Sequence, residues 1–296
     1  MIKENGLDWE LKKTPLHFEF NGQRKTIENK VALVRSDSGL SVSVMGDGYN
    51  IIQNRDSFKS FDSLMEANND FEYVKAGALR GGSKIFIQAK IGNNLCLETK
   101  GGIKDVIEKR ITLVNSHDGS SLQMLFTPFR LVCSNTLISN LDKLIVNNSE
   151  NYQSTIKVNH KGNSSAKLNL AGKLMEKAIK QYGDFELIAL KMLETKTSEK
   201  DAMDYFVALT KYQDETKETS TRLKNIREIM AGLFTSGQGN YGETLWDAYN
   251  AVTEYVDHKQ GGRGLNQDRN NRILTGVGAN LKSRAFDLAV QMVGVG

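Results

Sequence analysis

The apolar residues of this chain change their spacing once. Up to about residue 160 they alternate in twos, as in KVALVRSDSG and LSVSVMGDGYNIIQN; from Ser164 onward they recur every three or four residues. A period of two belongs to a half-buried strand, and a period near 3.6 to an amphipathic helix. Strands gathered first and helices gathered after predict an α+β protein. The expectation is an antiparallel β-rich N-terminal half with one inserted helix, then a helical C-terminal half. The seam lies near His117 to Leu137, HDGSSLQMLFTPFRLVCSNTL, which holds a His-Asp-Gly turn, Pro128, Arg130 and Cys133. In domain terms the pattern predicts a β-rich α+β domain over 1–162. A helical region over 163–296 either packs on it or forms a second subdomain.

Within the first half, GLDWELKKTPLHFEF reads as a docking segment that leads into a strand. Ser36-Asp37-Ser38-Gly39 and Asp47-Gly48 mark turns, and Asp56 to Asn68 reads as a helix with Phe58, Phe61, Leu64 and Met65 on one face. Strands are expected around Gly81-Gly82, at NNLCLE, on both sides of His117-Asp118-Gly119, and from Thr155 to His160. Pro128 has no N–H for a ladder and belongs at a strand edge or bulge. In the second half, Ser198 and Asp201 have the spacing of a helix cap. Glu243 to His258 sets Leu245, Trp246, Tyr249 and Val252 at helical spacing.

Composition excludes several classes. Of the 296 residues 39% are hydrophobic and 25% charged, which excludes global disorder. Cys96 and Cys133 are the only cysteines, so there is neither a disulfide framework nor a CxxC pair. The start, MIKENGLDWELKK, lacks the apolar core of a signal peptide, and no apolar run approaches the roughly 20 residues of a membrane span. A reducing cytoplasm is expected, with no membrane partner and no metal or cofactor. The net charge of +4 permits nucleic-acid binding without requiring it.

The motifs point weakly to catalysis and more to polyanions. His117-Asp118-Gly119-Ser120-Ser121 holds hydrolase letters, but adjacent residues in a turn seldom oppose a nucleophile to its base. Asp-Gly between strands is first a hairpin signal. Cys133 with His160 has the letters of a thiolate–base pair, yet a small buried thiol on a strand is the commoner fate. Gly237-Gln238-Gly239-Asn240-Tyr241-Gly242 matches GxGxxG, but it follows a helix, so it reads as a helix–helix turn whose amides face a phosphate at most. Arg80 and Lys84 flank a Gly pair at a hairpin tip. The tract after His258 gathers Lys259, Arg263, Arg269, Arg272, Lys282 and Arg284 against the single acid Asp268. Basic residues on flexible backbone near Trp246, Tyr249 and Tyr255 suit single-stranded nucleic acid. A solvated loop is the plain alternative.

Taken in order, GLDWELKKTPL, VALVRSDSGLSVSVMGDGYNIIQN, AGALRGGSKIFIQAKI, LVNSHDGSSLQMLFTPFRLVCSNTL, VNHKGNSSAKLNLA and ETLWDAYNAVTEYVDH resemble a phage- and plasmid-borne family. That family is known by domain of unknown function 932 and is described as phage/plasmid-like. Phe129 and Leu131 around Arg130 depart mildly from its pattern. The resemblance implies a mobile element in a bacterial cytoplasm. The strand–helix order of the first half is also similar to that of phage strand-annealing recombinases, at the level of fold analogy alone. Together these give the expectation of a non-enzymatic protein of phage or plasmid recombination or replication. It would bind, and in one version anneal, single strands, with no cofactor. Arg80, Lys84, Arg130, Arg263, Arg269 and Arg272 would contact phosphates. A homo-oligomer is a further expectation. The alternatives are a counter-defence protein that binds a host protein or nucleotide signal, and an enzyme that uses the His117-Asp118 turn.

Overall fold

A computed structural model describes residues 1–66, 70–98, 102, 104–137, 155–158, 171–211, 221–261 and 268–294. The fold is α+β, with antiparallel sheets in the N-terminal half and helices in the C-terminal half. Compactness divides the chain differently from a cut at residue 162. One unit is built from 1–91, 111–125 and 155–177, the other from 92–110, 126–154 and 178–296.

The first unit holds two sheets and one helix. Strands β1 (Leu11–Phe20), β2 (Gln23–Arg35) and β3 (Ser41–Gly46) form an antiparallel meander. Helix α1 (Asn54–Glu66) follows, starting two residues before the predicted Asp56. Asn54 is buried at its start, where Nδ2 donates to Leu7 O at 3.0 Å and Oδ1 lies 3.1 Å from His117 Nε2. Phe58 and Phe61 face inward as the period required. Next come β4 (Phe71–Leu79), a 3-10 turn (Arg80–Gly82), β5 (Lys84–Ile91), β8 (Arg110–Ser116), β9 (Leu122–Phe126) and β12 (Thr155–Val158). They make a five-stranded sheet in the order β12-β9-β8-β5-β4. Polar clamps tie the connection between β3 and α1 to this sheet: Tyr49 OH donates to Ser116 O at 3.0 Å, and Asn115 Nδ2 to Ile52 O at 2.8 Å.

The second unit packs helices around a small sheet of β6 (Leu95–Glu98), β7 (Lys104–Glu108), β10 (Phe129–Arg130) and β11 (Asn135–Thr136), in the order β11-β10-β7-β6. Its helices are the later part of α2 (Ala171–Glu194), then α3 (Glu199–Lys211), α4 (Thr221–Ser236), α5 (Leu245–Glu254), α6 (Arg269–Leu274) and α7 (Val277–Met292). Ser198 and Asp201 cap α3 reciprocally, as their spacing predicted. Helix α5 runs into a π-helical turn, Tyr255–Lys259. All ten residues of α5 are buried, so this helix is the unit's centre rather than a one-faced amphipath. Trp246, Phe185, Phe286 and Tyr249 form its aromatic cluster, with centroids 5.4 to 6.2 Å apart along the chain Trp246–Phe185–Phe286–Tyr249.

Candidate nucleic-acid interface

The cations singled out in the sequence have very different surroundings. Arg80 opens the 3-10 turn of the first unit, Lys84 follows it, and both converge on Asp118, at 3.9 and 3.5 Å. The turn needs left-handed backbone at three successive positions, with φ of +49° at Arg80, +68° at Gly81 and +101° at Gly82, which explains the Gly pair. Asp118 also accepts from Ser120 N at 3.1 Å. Burial alone would raise its carboxyl pKa, but the Ser120 hydrogen bonds and the Lys84 charge outweigh burial and lower it. The His-Asp-Gly stretch is thus a turn tied to its own backbone. His117 is fully buried against Trp9, with ring centroids 6.0 Å apart.

In the second unit two of the expected phosphate contacts, Arg130 and Arg272, turn inward. Arg130 is 2% exposed. Its Nε donates to Asp105 Oδ2 at 2.5 Å, Nη1 to Asn240 Oδ1 at 2.8 Å, and Nη2 to Gly239 O at 2.6 Å. Trp246 Nε1 donates to the same Asp105 oxygen at 2.8 Å. Arg272 is buried in α6. Arg269 is exposed, with Nε donating to Asp257 O at 2.8 Å. Lys282 is completely buried and pairs with Asp257 Oδ1 at 2.7 Å, and Arg284 Nη2 donates to Leu209 O at 2.6 Å. Arg263 and His160 lie outside the described residues. For Arg130 and Lys282 the physical reason for the inward turn is that a buried guanidinium or ammonium surrounded by carboxylate and carbonyl oxygens is already satisfied. The geometry therefore gives no support to phosphate contacts by Arg130 and Arg272.

The GxGxxG loop also faces the other way from a phosphate cradle. Its carbonyls at Gln238 and Gly239 point at Arg130, while the amide of Gln238 donates to Glu254 and those of Glu243 and Thr244 donate to Asp247. The start of α5 is closed by the Thr244–Asp247 capping box. Beside it lies a cavity of about 50 Å³ lined by Asp105, Arg130, Val132, Tyr241, Trp246 and Asp247, sized for water rather than for a nucleotide. Among the described residues no three His, Cys, Asp or Glu side chains gather as metal ligands would.

The feature with binding character is one the sequence reading passed over. Strands β1 and β2 form a hairpin arm closed by Asn21-Gly22, with φ of +51° and +74°, the two left-handed positions of a type I′ turn. Every residue from His17 to Lys30 is exposed. Phe18 pairs with Lys25 and Phe20 with Gln23, so one face of the arm carries both phenyl rings and an ammonium. Phe18 is 45% exposed and Phe20 59%, and Lys25 Nζ sits 5.7 Å from the Phe20 ring centre. The opposite face pairs Glu19 with Arg24 and His17 with Thr26. From Leu11 to Lys30 there are five Lys or Arg residues and two Glu. The signal was available: Asn-Gly between the alternating stretches LHFEF and QRKTI is a strong short-range hairpin mark.

Fold and surface together define an α+β protein with a basic, aromatic β-hairpin arm. The chain belongs to the family described as Domain of unknown function (DUF932), whose model matches residues 41–276. The matched stretch contains Arg80, Lys84 and Arg130 and begins after the arm. No curated protein and no solved structure matches the chain. Among the described residues no helix is long and apolar enough to cross a membrane.

Proposed function

We propose that this protein binds single-stranded nucleic acid through the β1–β2 arm, in the recombination or replication of a phage or plasmid. The observation that carries the reading is the single arm face on which Phe18 and Phe20 stand exposed beside Lys25. Base stacking on aromatic side chains tolerates any sequence, and a nearby cation neutralises the phosphate between stacked bases. In a duplex the base faces are already stacked on one another, so the arm favours single strands. The cations near its root, Lys12, Lys13 and Lys30, extend the positive surface along a bound strand. Arg80 and Lys84 contribute less, because Asp118 lies against both.

The test is titration of labelled single- and double-stranded DNA and RNA at two salt concentrations, with wild type and with Phe18→Ala/Phe20→Ala. Each lost platform is expected to weaken single-strand binding by about 1–3 kcal/mol. The melting temperature should hardly move, because both rings are exposed. Absence of binding by wild type, or undiminished binding by the double variant, sinks the proposal. If the wild type instead captures a host protein, the counter-defence reading takes its place.

A further inference from the structure

The arm has an unpartnered edge. Strand β1 is the outer strand of the meander, and its distal part, Leu16–Phe20, has only β2 beside it among the described residues. The two-residue turn makes Phe20 and Gln23 a hydrogen-bonded pair, and alternation then turns the backbone N–H and C=O of His17 and Glu19 outward. An edge of this kind is a template for another strand unless it is guarded. The root of β1 is guarded. Pro15 has no N–H, the register slips between Pro15 and His17, and the Gln53 side chain bonds both backbone groups of Leu11. Among the described residues the segment beyond Pro15 has no such guard.

That segment, Leu16-His17-Phe18-Glu19-Phe20, is complementary to itself. Placed antiparallel to a copy about Phe18, it sets Phe18 opposite Phe18, Leu16 opposite Phe20, and the His17 imidazole opposite the Glu19 carboxylate twice. The outward groups of His17 and Glu19 are then the ones that face each other, so the ladder's hydrogen bonds fall where free groups exist. Pro15 ends the ladder after those two pairs, so the contact closes as a dimer and does not propagate. We propose that two copies of this chain pair through the distal edge of β1, in this register, to form a four-stranded sheet β2-β1-β1-β2. Its one face carries the phenyl rings of both arms side by side. The pairing needs no nucleic acid, and it doubles the stacking surface of the proposed function.

The test is the mass of the nucleic-acid-free chain by light scattering, with disulfide trapping alongside. The wild type should run at twice its 33.0 kDa chain mass. Glu19→Pro removes an outward N–H while leaving the β1–β2 ladder whole, and it should give the single-chain mass with an unchanged circular dichroism spectrum. In a Cys96→Ser background, Phe18→Cys should oxidise to a covalent dimer. Directly opposed strand positions that are not hydrogen-bonded stand about 4.5 Å apart at Cα, within disulfide reach. Lys25→Cys, on the outer strand of the dimer sheet and far from its own copy, should not cross-link. A wild type of single mass, a dimeric Glu19→Pro variant, or equal cross-linking at positions 18 and 25 overturns the pairing. A doubled mass without single-strand binding would leave the pairing standing and remove the nucleic-acid reading.

Discussion

Trp246 joins the two kinds of order in the second unit, packing its ring on Phe185 and donating its indole N–H to Asp105, the carboxylate that also holds Arg130. Trp246→Phe keeps most of the packing and removes one donor, so it should cost about 1–3 kcal/mol. Trp246→Ala adds a cavity and should cost about 3–5 kcal/mol. Urea titrations of both variants check this, and a Trp246→Phe variant as stable as the wild type would show that the hydrogen bond contributes nothing. Helical spacing made the burial of Trp246 legible. The inward turn of Arg130 was not, because its partners Asp105 and Asn240 are far away in sequence and no local pattern links them. Cys133 gives a pH prediction of the same kind. Burial pushes its thiol from about 9 up to about 11, against the opposing charge of Arg130. The folded value is the raised one, so this stability is complete below pH 9 and is lost as the pH climbs through 11. Between those limits the wild type should lose roughly 2–3 kcal/mol more than Cys133→Ala, measured as the difference between their urea midpoints along the pH series. Parallel pH profiles would place the thiol in contact with water.

Among the described residues strand β11 is two residues long and lies at the edge of its sheet, and its outer side is completed by side chains rather than by another strand. Thr136 N donates to Asp257 Oδ2 at 2.7 Å, and Lys282 Nζ donates to Thr136 O at 2.7 Å. The acid comes from the π-helical turn and the ammonium from α7, and they bond each other. Burial lowers the pKa of Lys282 and the Asp257 charge opposes that, so the pair survives because each partner also holds a backbone group. Lys282→Met is predicted to cost about 3–5 kcal/mol in a denaturant titration, since it strands a buried carboxylate. A loss under about 1 kcal/mol would mean that Asp257 takes up a proton or finds water. In the sequence Lys282 counted as one more cation of a basic tract, because composition does not separate an exposed ammonium from a buried one. Turn chemistry was the more readable level. Ser36–Gly39, Gly81-Gly82 and the His117-Asp118-Gly119 turn all fall between paired strands or beside them. Asn21-Gly22 has the same logic and was missed because QRKTIENK, mostly polar, does not look like a strand that buries anything.

The change of apolar period marks where strands give way to helices, but not where the compact units divide. Periodicity reports local burial, whereas membership of a unit depends on which distant segments pack together. Strands β6, β7, β10 and β11 precede residue 162, yet they belong with the helices that follow Ala178. Asp105 on β7 with Trp246 on α5, and Thr136 on β11 with Lys282 on α7, are the contacts that tie them. A cut at residue 162 therefore divides the second unit's core and leaves polar groups without partners on both pieces. Residues 163–296, expressed alone, would keep Trp246 as their single tryptophan but lose Asp105. That fragment should show red-shifted emission, no cooperative urea transition and rapid amide exchange through Leu245–Glu254. Residues 1–162 should lose amide protection at Leu95–Glu98 and Lys104–Glu108, while β4 and β5, paired within the first unit, keep theirs. Mixing the two fragments should restore the blue emission of Trp246, because the missing hydrogen bond and the aromatic packing return together. A fragment 163–296 that melts cooperatively by itself would show that the small sheet adds little to the helical core, and the seam read from the sequence would then also be the boundary of a folding unit.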